Sequence, residues 1–278
     1  MGNNHRAASD TPSILAAGAI SAVRRNGSRL LGYLRQARSI VAPRRSVQAR
    51  GLRFTLPCDN LITRYRWQTY NSKEPETLDW IDRTIRDGET LVDIGANIGL
   101  YTIYAALRHP KARVVACEPE YANLHLLRDN ILKNGLAERV QVYSLALGDH
   151  TGLSRLHIQD LTPGAAMHTE STDALSLTRT QHSVVWREGI CTFTLDAFCE
   201  QAGLQPNHLK IDVDGTEEEV LRGAQRTLRS AALRSLLAEL PNDPREYQAC
   251  ERLLLDAGLR CEWRGSGHQD SNDIWVRE

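Results

Sequence analysis

The chain has 278 residues, 41% of them hydrophobic and 24% charged, a composition that supplies a buried core and excludes disorder throughout. Its 34 basic and 34 acidic residues cancel, so the overall charge marks no polyanionic partner. The six cysteines form no Cys-x-x-Cys pair and have no His-x-x-x-His companion, which argues against a zinc site and for reduced thiols.

The charge is unevenly spread. Residues 1–50 hold nine arginines (Arg6, Arg24, Arg25, Arg29, Arg35, Arg38, Arg44, Arg45, Arg50), no lysine and one acid, Asp10. The remainder carries 25 basic against 33 acidic residues. The apolar stretch Ile14 to Val23 is too short to span a bilayer, and Arg24-Arg25 follows it instead of a small-residue cleavage site. The expectation is a soluble, cytoplasmic protein with a basic arm at 1–50, partly helical or disordered, and one domain at 51–278. Three uses of the arm stay open: peripheral contact with an anionic membrane or glycolipid surface, packing on an acidic partner, or a solvated tail. Few aromatics lie among the arginines and no RNA-binding motif is present, which speaks against nucleic acid.

From residue 51 the elements follow in order. Gly51 to Pro57 reads as a short strand. Pro75 opens a helix whose Leu78, Ile81 and Ile85 recur at helical spacing, and Gly88 stops it. Thr90 to Ile94 is a short buried strand, Leu100 to Arg108 a helix, and Arg113 to Cys117 a second strand. Tyr121 to Asn134 is a helix capped by Gly135. Val140 to Leu147 is a third strand. Residues 150–192 are polar, contain Gly152, Pro163 and Gly164, and show no strong period, as expected of a lid. A helix at 195–202, a strand at 208–213, a helix at 216–229, a strand at 235–240 and a helix at 244–258 resume the alternation. Cys261 to Trp263 and Asp273 to Val276 are the last strands, and the loop between them is too short for a crossover helix. The fold expected is α/β: a mostly parallel seven-stranded sheet with helices on both faces and a C-terminal antiparallel hairpin.

In such a sheet a ligand sits beyond the carboxyl ends of the strands, where the strand order reverses. The first strand of the sheet ends in Asp93-Ile-Gly95-Ala96-Asn97-Ile-Gly99. Gly95 permits a positive φ and close approach of backbone to a ligand, and Gly99 permits close helix packing. Asn97 stands where a dinucleotide fingerprint needs its second glycine, which favours a ligand without a pyrophosphate over NAD. Glu118 ends the second strand, placed to accept from two ribose hydroxyls. Asp149, after Ala146-Leu147-Gly148, either meets an adenine amino group or is a turn residue.

The string Asp93-Ile-Gly-Ala-Asn-Ile-Gly-Leu-Tyr-Thr102 with Glu118-Pro119 resembles the FkbM family of methyltransferases. Lys73 to Asp82, Thr194-Leu-Asp196, and Lys210-Ile-Asp-Val-Asp-Gly215 followed by Glu217 and Val220 to Ala224 match the family's further segments; Asp214 stands where the family more often has Glu. The resemblance covers roughly 60–240. It implies a Rossmann-like class I methyltransferase fold, S-adenosyl-L-methionine as donor, and transfer to oxygen, often a sugar hydroxyl. Carried over position by position, it also implies that Asp93, Gly95, Asn97, Gly99 and Glu118, with Glu76 and Thr77, surround the cofactor; Ala96, Tyr101, Pro119, Ala146 and Asp149 are the further cofactor-site candidates beside them.

The acceptor hydroxyl has to lose a proton, and a nearby carboxylate or histidine takes it. Some relatives use a divalent metal such as magnesium for this, which lowers the hydroxyl pKa. Lys210, Asp212 and Asp214 alternate, so a regular strand puts all three on one side. Asp212 and Asp214, at the strand's carboxyl end, are the candidates for base, acceptor anchor or metal ligand, and Glu239, ending the next strand, could complete a site with Asp212. The structural alternatives are that Asp212 pairs with Lys210 and that Asp214 caps a helix. His268, and His150, His157 and His168 in the 150–192 segment, are histidines that spacing alone does not rank. The acceptor expected is a small molecule or glycan; rivals are a nicotinamide-dependent oxidoreductase and a cofactor-binding module without catalysis.

Overall fold

The computed structural model describes residues 43–166, 168–171, 184–265 and 272–277. The sheet-bearing unit begins at Arg44, seven residues ahead of the boundary expected at Gly51. Strand β1 (Arg44–Ala49) pairs antiparallel with β2 (Leu52–Pro57) through a turn at Arg50 and Gly51, both with positive φ. The arginines had disguised β1 as part of the arm, yet Arg44 is bound into the fold: its guanidinium reaches Asp129, Asn130 and the Thr55 carbonyl. The rest of the basic arm, residues 1–42, lies outside the described residues, as does His268.

Helix α1 (Leu61–Thr69) was not expected from the sequence. It has no apolar stripe, since Thr63 is its only buried residue; Asn60 and Thr63 start it by a reciprocal capping box. Helix α2 (Pro75–Thr84) follows, with proline at its first position, where no N–H is needed. Then come β3 (Thr90–Ile94), α3 (Leu100–Arg108), β4 (Arg113–Cys117), α4 (Tyr121–Lys133) and β5 (Val140–Tyr143). The second half supplies α5 (Leu195–Ala202), β10 (His208–Ile211), α6 (Glu217–Arg222), α7 (Gln225–Arg229), β11 (Ser235–Glu239), α8 (Pro244–Asp256), β12 (Arg260–Arg264) and β13 (Asn272–Val276).

The seven strands stand in the order β12-β13-β11-β10-β3-β4-β5. β3, β4, β5, β10 and β11 are parallel, and β13 runs antiparallel to both its neighbours. This is the α/β Rossmann-like sheet with its terminal hairpin. Alternation along each strand divides the core. Leu91, Val114 and Ala116 face α2, α3 and α4 with Trp80, Ile103 and Leu127. Val92, Ile94, Val115, Leu209 and Ile211 face the other layer with Leu195, Phe198, Val220 and Leu254. Trp80 is fully buried, and its Nε1 donates to Ser235 Oγ at 3.0 Å, so truncating it to alanine would cost about 3–5 kcal/mol.

Three expectations differ from the structure. The apolar run 140–147 is two strands, because the chain leaves the main sheet after β5 and β6 (Ala146–Gly148) joins another. The segment 150–192 is not a featureless lid: β7 (Gly152–Ile158), β8 (Thr169–Ser171) and β9 (Trp186–Thr194) form that second sheet, in the order β6-β9-β7-β8. Its hydrophobic alternation is masked because polar Ser154, His157 and Thr192 occupy buried positions while Leu153 and Trp186 are exposed. Residues 216–229 are two helices. The chain bends at Gly223, where a Cβ would fall 2.0 Å from the Gly148 carbonyl oxygen. Asp196 then caps α7 by accepting from the N–H groups of Arg226 and Thr227 at 2.8 Å each, while Thr194 caps α5. The Thr194-Leu-Asp196 turn thus ties two helices together.

Among the described residues no helix is long and apolar enough to cross a membrane. All six cysteines are free thiols.

Candidate functional site

The strand order reverses between β3 and β10, and a cavity of about 300 Å³ opens there, beyond the carboxyl ends of β3, β4 and β10. The β3–α3 loop forms its floor. Gly95 has φ 76°, and a Cβ on it would lie 1.8 Å from the Asp212 carbonyl oxygen, so only glycine lets the two loops meet. The N–H groups of Gly95 and Ala96 both donate to the Cys117 carbonyl at 3.0 Å, which ties the loop to β4. Asn97 is left-handed at φ 50°, a conformation asparagine tolerates. Its side chain donates to the Ala165 carbonyl at 2.8 Å, beside a 3.0 Å bond to the same oxygen from Asn123. Asparagine at 97 is therefore a strap holding residues 163–166 over the cavity.

Glu118 lines the cavity at the end of β4. Its two oxygens accept from the N–H groups of Asn97 at 2.8 Å and Glu120 at 2.9 Å. Burial pushes its carboxyl up to about 8, against the pull of those two donors. Asp93 is buried; its Oδ2 accepts from Thr102, and its Oδ1 has no hydrogen-bond partner. Burial raises the Asp93 carboxyl above its usual range, and the charge of Lys210 opposes the rise. These two residues are register neighbours on adjacent parallel strands, hence on one face. Lys210 in turn donates to Asp212 Oδ2 at 2.8 Å and lies 5.2 Å from the centre of the Tyr101 ring. Burial alone would lift Asp212, but the charge and hydrogen bond of Lys210 outweigh it and hold the carboxyl below its usual range.

The period-two placement of Lys210, Asp212 and Asp214 holds only for the first pair. β10 ends at Ile211, and Asp214 takes φ 58°. Glu217, buried and in the first turn of α6, bends the chain there by accepting from the N–H groups of Val213 at 3.3 Å and Gly215 at 3.1 Å. Burial raises Glu217 to about 7. Asp214 and Glu239 both line the cavity.

Of the residues expected around a cofactor, Asp93, Gly95, Ala96, Asn97, Tyr101, Glu118, Pro119 and Ala146 line the cavity, as do Asp212, Asp214 and Glu239. Glu76, Thr77, Gly99 and Asp149 do not. Helix α2 begins at Pro75; Glu76, in its first turn, accepts from the buried Asn272 Nδ2 at 2.9 Å and Thr77 is buried, while Glu74, just before the helix, lines the cavity. Gly99 packs α3 on α4, its missing Cβ falling 2.4 Å from Leu127 Cδ1. Asp149 sits half-exposed beside His150 at 3.1 Å. Residues that sequence reasoning missed are Arg66 and Lys73 and, from the second sheet, Leu156 and Glu170. His168, which spacing had not singled out, also lines the cavity. Capping signals at Asn60 and Pro75 would have placed Arg66 and Glu74; nothing local marks the second sheet.

Among the described residues, seven carboxyl groups line this cavity (Glu74, Asp93, Glu118, Glu170, Asp212, Asp214, Glu239) against three basic side chains (Arg66, Lys73, Lys210). The acid excess suits a ligand with cationic groups and opposes a pyrophosphate. A cation facing the orphaned Asp93 oxygen, backbone in the Gly95 cradle and a diol on Glu118 together fit S-adenosylmethionine. Among the described residues no cluster of three metal-ligating side chains stands arranged to hold an ion.

The model of the methyltransferase FkbM domain matches residues 93–255. A segment of 97 residues is 33% identical to "31-O-demethyl-FK506 methyltransferase FkbM" of Streptomyces tacrolimicus, covering 34% of this chain and 36% of that protein. Over 150 residues the chain is 27% identical to "Methyltransferase 1" of Beauveria bassiana, covering 49% of this chain and 59% of that protein. The chain thus spans between about a third and three fifths of these relatives' own lengths. Among solved structures, fibrillarin of Aeropyrum pernix with natively bound S-adenosyl-L-methionine superposes with a TM-score of 0.47 at 12% identity, over 85% of this chain and 83% of that one. With the family's domain spanning more than half of its length, and the loop at 93–99 at the switch point of the sheet, the chain belongs to the FkbM family of S-adenosylmethionine-dependent methyltransferases.

Proposed function

We propose that this protein transfers a methyl group from S-adenosylmethionine to a hydroxyl of a saccharide or glycosylated small molecule. The observation that carries the donor half is the acid-lined cavity at the strand switch, with the unpartnered Asp93 oxygen beside the Gly95 cradle. Asp93 and Glu74 would hold the cationic amino-acid end, the Gly95–Asn97 loop the middle, and Glu118 the ribose. Bound there, the donor supplies a methyl group already activated by a sulfonium charge.

The chain's own part is positioning and proton handling. Lys210 keeps Asp212 ionised, which makes Asp212 a strong hydrogen-bond acceptor and a weak base. It is suited to orienting the acceptor hydroxyl. Asp214 and Glu239, at the same rim, are the candidates to take the proton. A second cavity of about 550 Å³ shares Arg66, Lys73, Glu74, Leu100, Tyr101 and Ala166 with the first. Tyr65 and Tyr70 add aromatic surface to it, and Asp160 a carboxylate. Aromatic faces beside mixed charges suit a hydroxylated ring better than a purely apolar acceptor. The name of the Streptomyces relative, which methylates an oxygen of a small molecule, supports the same class.

The experiment is calorimetric titration with S-adenosylmethionine and, separately, NADH, on wild type and Glu118→Ala. This is followed by mass spectrometry of sugar acceptors for an added methyl. Saturable binding of the sulfonium compound alone, weakened by the substitution, supports the proposal. Binding of NADH in its place would sink it.

A further inference from the structure

Two side chains that line the cofactor cavity carry buried polar atoms without a hydrogen-bond partner: Asp93, at the amino-acid end, and His168. His168 is only 9% exposed, and both of its ring nitrogens are unpartnered. Leaving two such atoms buried is costly unless a ligand satisfies one of them.

Its place in the fold says which part of a ligand it meets. His168 immediately precedes β8, whose Glu170 pairs with Leu156 of β7 and carries its carboxylate to 3.5 Å from the place a Cβ on Gly148 of β6 would take. The segment just before His168 is clamped to Asn97 and Asn123 through the Ala165 carbonyl. His168 and Glu170, two residues apart, both line the cavity, and the carboxylate of Glu170 lies by Gly148, directly after Leu145 to Leu147. His168 therefore faces the end of the cavity bounded by Pro119 and Leu145 to Leu147, beyond the ribose-facing Glu118.

We propose that a ring nitrogen of His168 accepts a hydrogen bond from the 6-amino group of the cofactor's adenine. The proposal rests on the S-adenosylmethionine reading above. A neutral imidazole has one lone pair to offer, and neither ring nitrogen is committed elsewhere. Burial keeps the ring neutral by lowering its basicity, against the smaller opposite effects of Glu120 and Asp160. Asp149, the acid that sequence position would nominate for the same contact, lies outside the cavity. Glu170 already has one carboxylate oxygen engaged by Ser154 and Thr192.

The test is a ligand-by-residue cycle read by calorimetry on the full chain. The probes are S-adenosylhomocysteine and its analogue carrying unsubstituted purine, which lacks only the 6-amino group. Wild type should bind the adenine form about tenfold more tightly than the purine form. His168→Ala should erase that preference while leaving affinity for the purine form within about twofold. His168→Asn, which restores a side-chain acceptor, should recover part of it and guards against misfolding of the alanine variant. Glu118→Ala should weaken both probes alike and keep the preference. A preference that persists in both His168 variants overturns the assignment while leaving the donor reading intact. Failure of folded wild type to bind either probe overturns the donor reading itself, and this inference with it.

Discussion

A methyl group on residue 95 would lie 1.8 Å from the Asp212 carbonyl oxygen and 3.2 Å from a Val213 methyl, on a backbone at φ 76°. Gly95→Ala therefore incurs two costs. The left-handed conformation costs about 1–2 kcal/mol for a residue with a Cβ. The overlap is with backbone rather than a flexible side chain, so one loop must move by more than an ångström, at about 1–3 kcal/mol. Thermal unfolding should drop by roughly 4–20 °C for a folded unit of this size. The displaced loop is also the cofactor floor, so affinity for S-adenosylhomocysteine should fall at least about tenfold, since ångström misplacements are felt at such sites. Gly135→Ala is the control. Its φ is 71° and nothing lies within 4 Å of the added carbon, so it carries the conformational cost alone, roughly 2–8 °C, with affinity unchanged. Paired melting curves and titrations read both effects. If Gly95→Ala matches Gly135→Ala in melting and in affinity, the contact with Asp212 is not what requires glycine, and the reasoning fails.

Glu118 yields a pH signature. Burial raises its carboxyl to about 8 in the free protein, whereas ribose hydroxyls donate best to the ionised form. Affinity for S-adenosylhomocysteine should climb with pH, by up to about tenfold per unit, and level off above about 8; Glu118→Gln should bind more weakly with a flat profile. A wild-type affinity flat from about pH 6 to 9 would refute this. Lys210→Met strips the cation from buried Asp93 and its partner Asp212 and should cost about 3–5 kcal/mol in urea unfolding. Adding Asp212→Leu should cost less than the two single changes together, by about 0.5–3 kcal/mol, and strict additivity would mean the pair is not coupled. Asp149→Ala should leave cofactor affinity within about twofold of wild type, because its side chain is half-exposed outside the cavity; a tenfold loss would return it to the site.

Short-range chemistry determined a large share of this protein. Four- and five-residue apolar runs fixed the parallel strands because both faces of that sheet are covered. The short connection before Asp273 required an antiparallel hairpin, and β13 is antiparallel to both neighbours. The loop from Asp93 to Gly99 and the acid at Glu118 were legible because strand ends and positive-φ positions are local properties. Tertiary structure decided what local spacing does not encode. Helix α2 starts at Pro75 as its sequence indicates, but only the packed structure shows that Glu74, just before it, lines the cavity while Glu76 pairs with Asn272. Helix α1, with no apolar stripe, and the β6-β9-β7-β8 sheet, with polar residues in its buried positions, left no hydrophobic period to read. Arg66 and His168 reach the cavity from those two elements. They do so only because Asn97 and Asn123 pin the 163–166 segment by hydrogen bonds that span more than forty residues of chain.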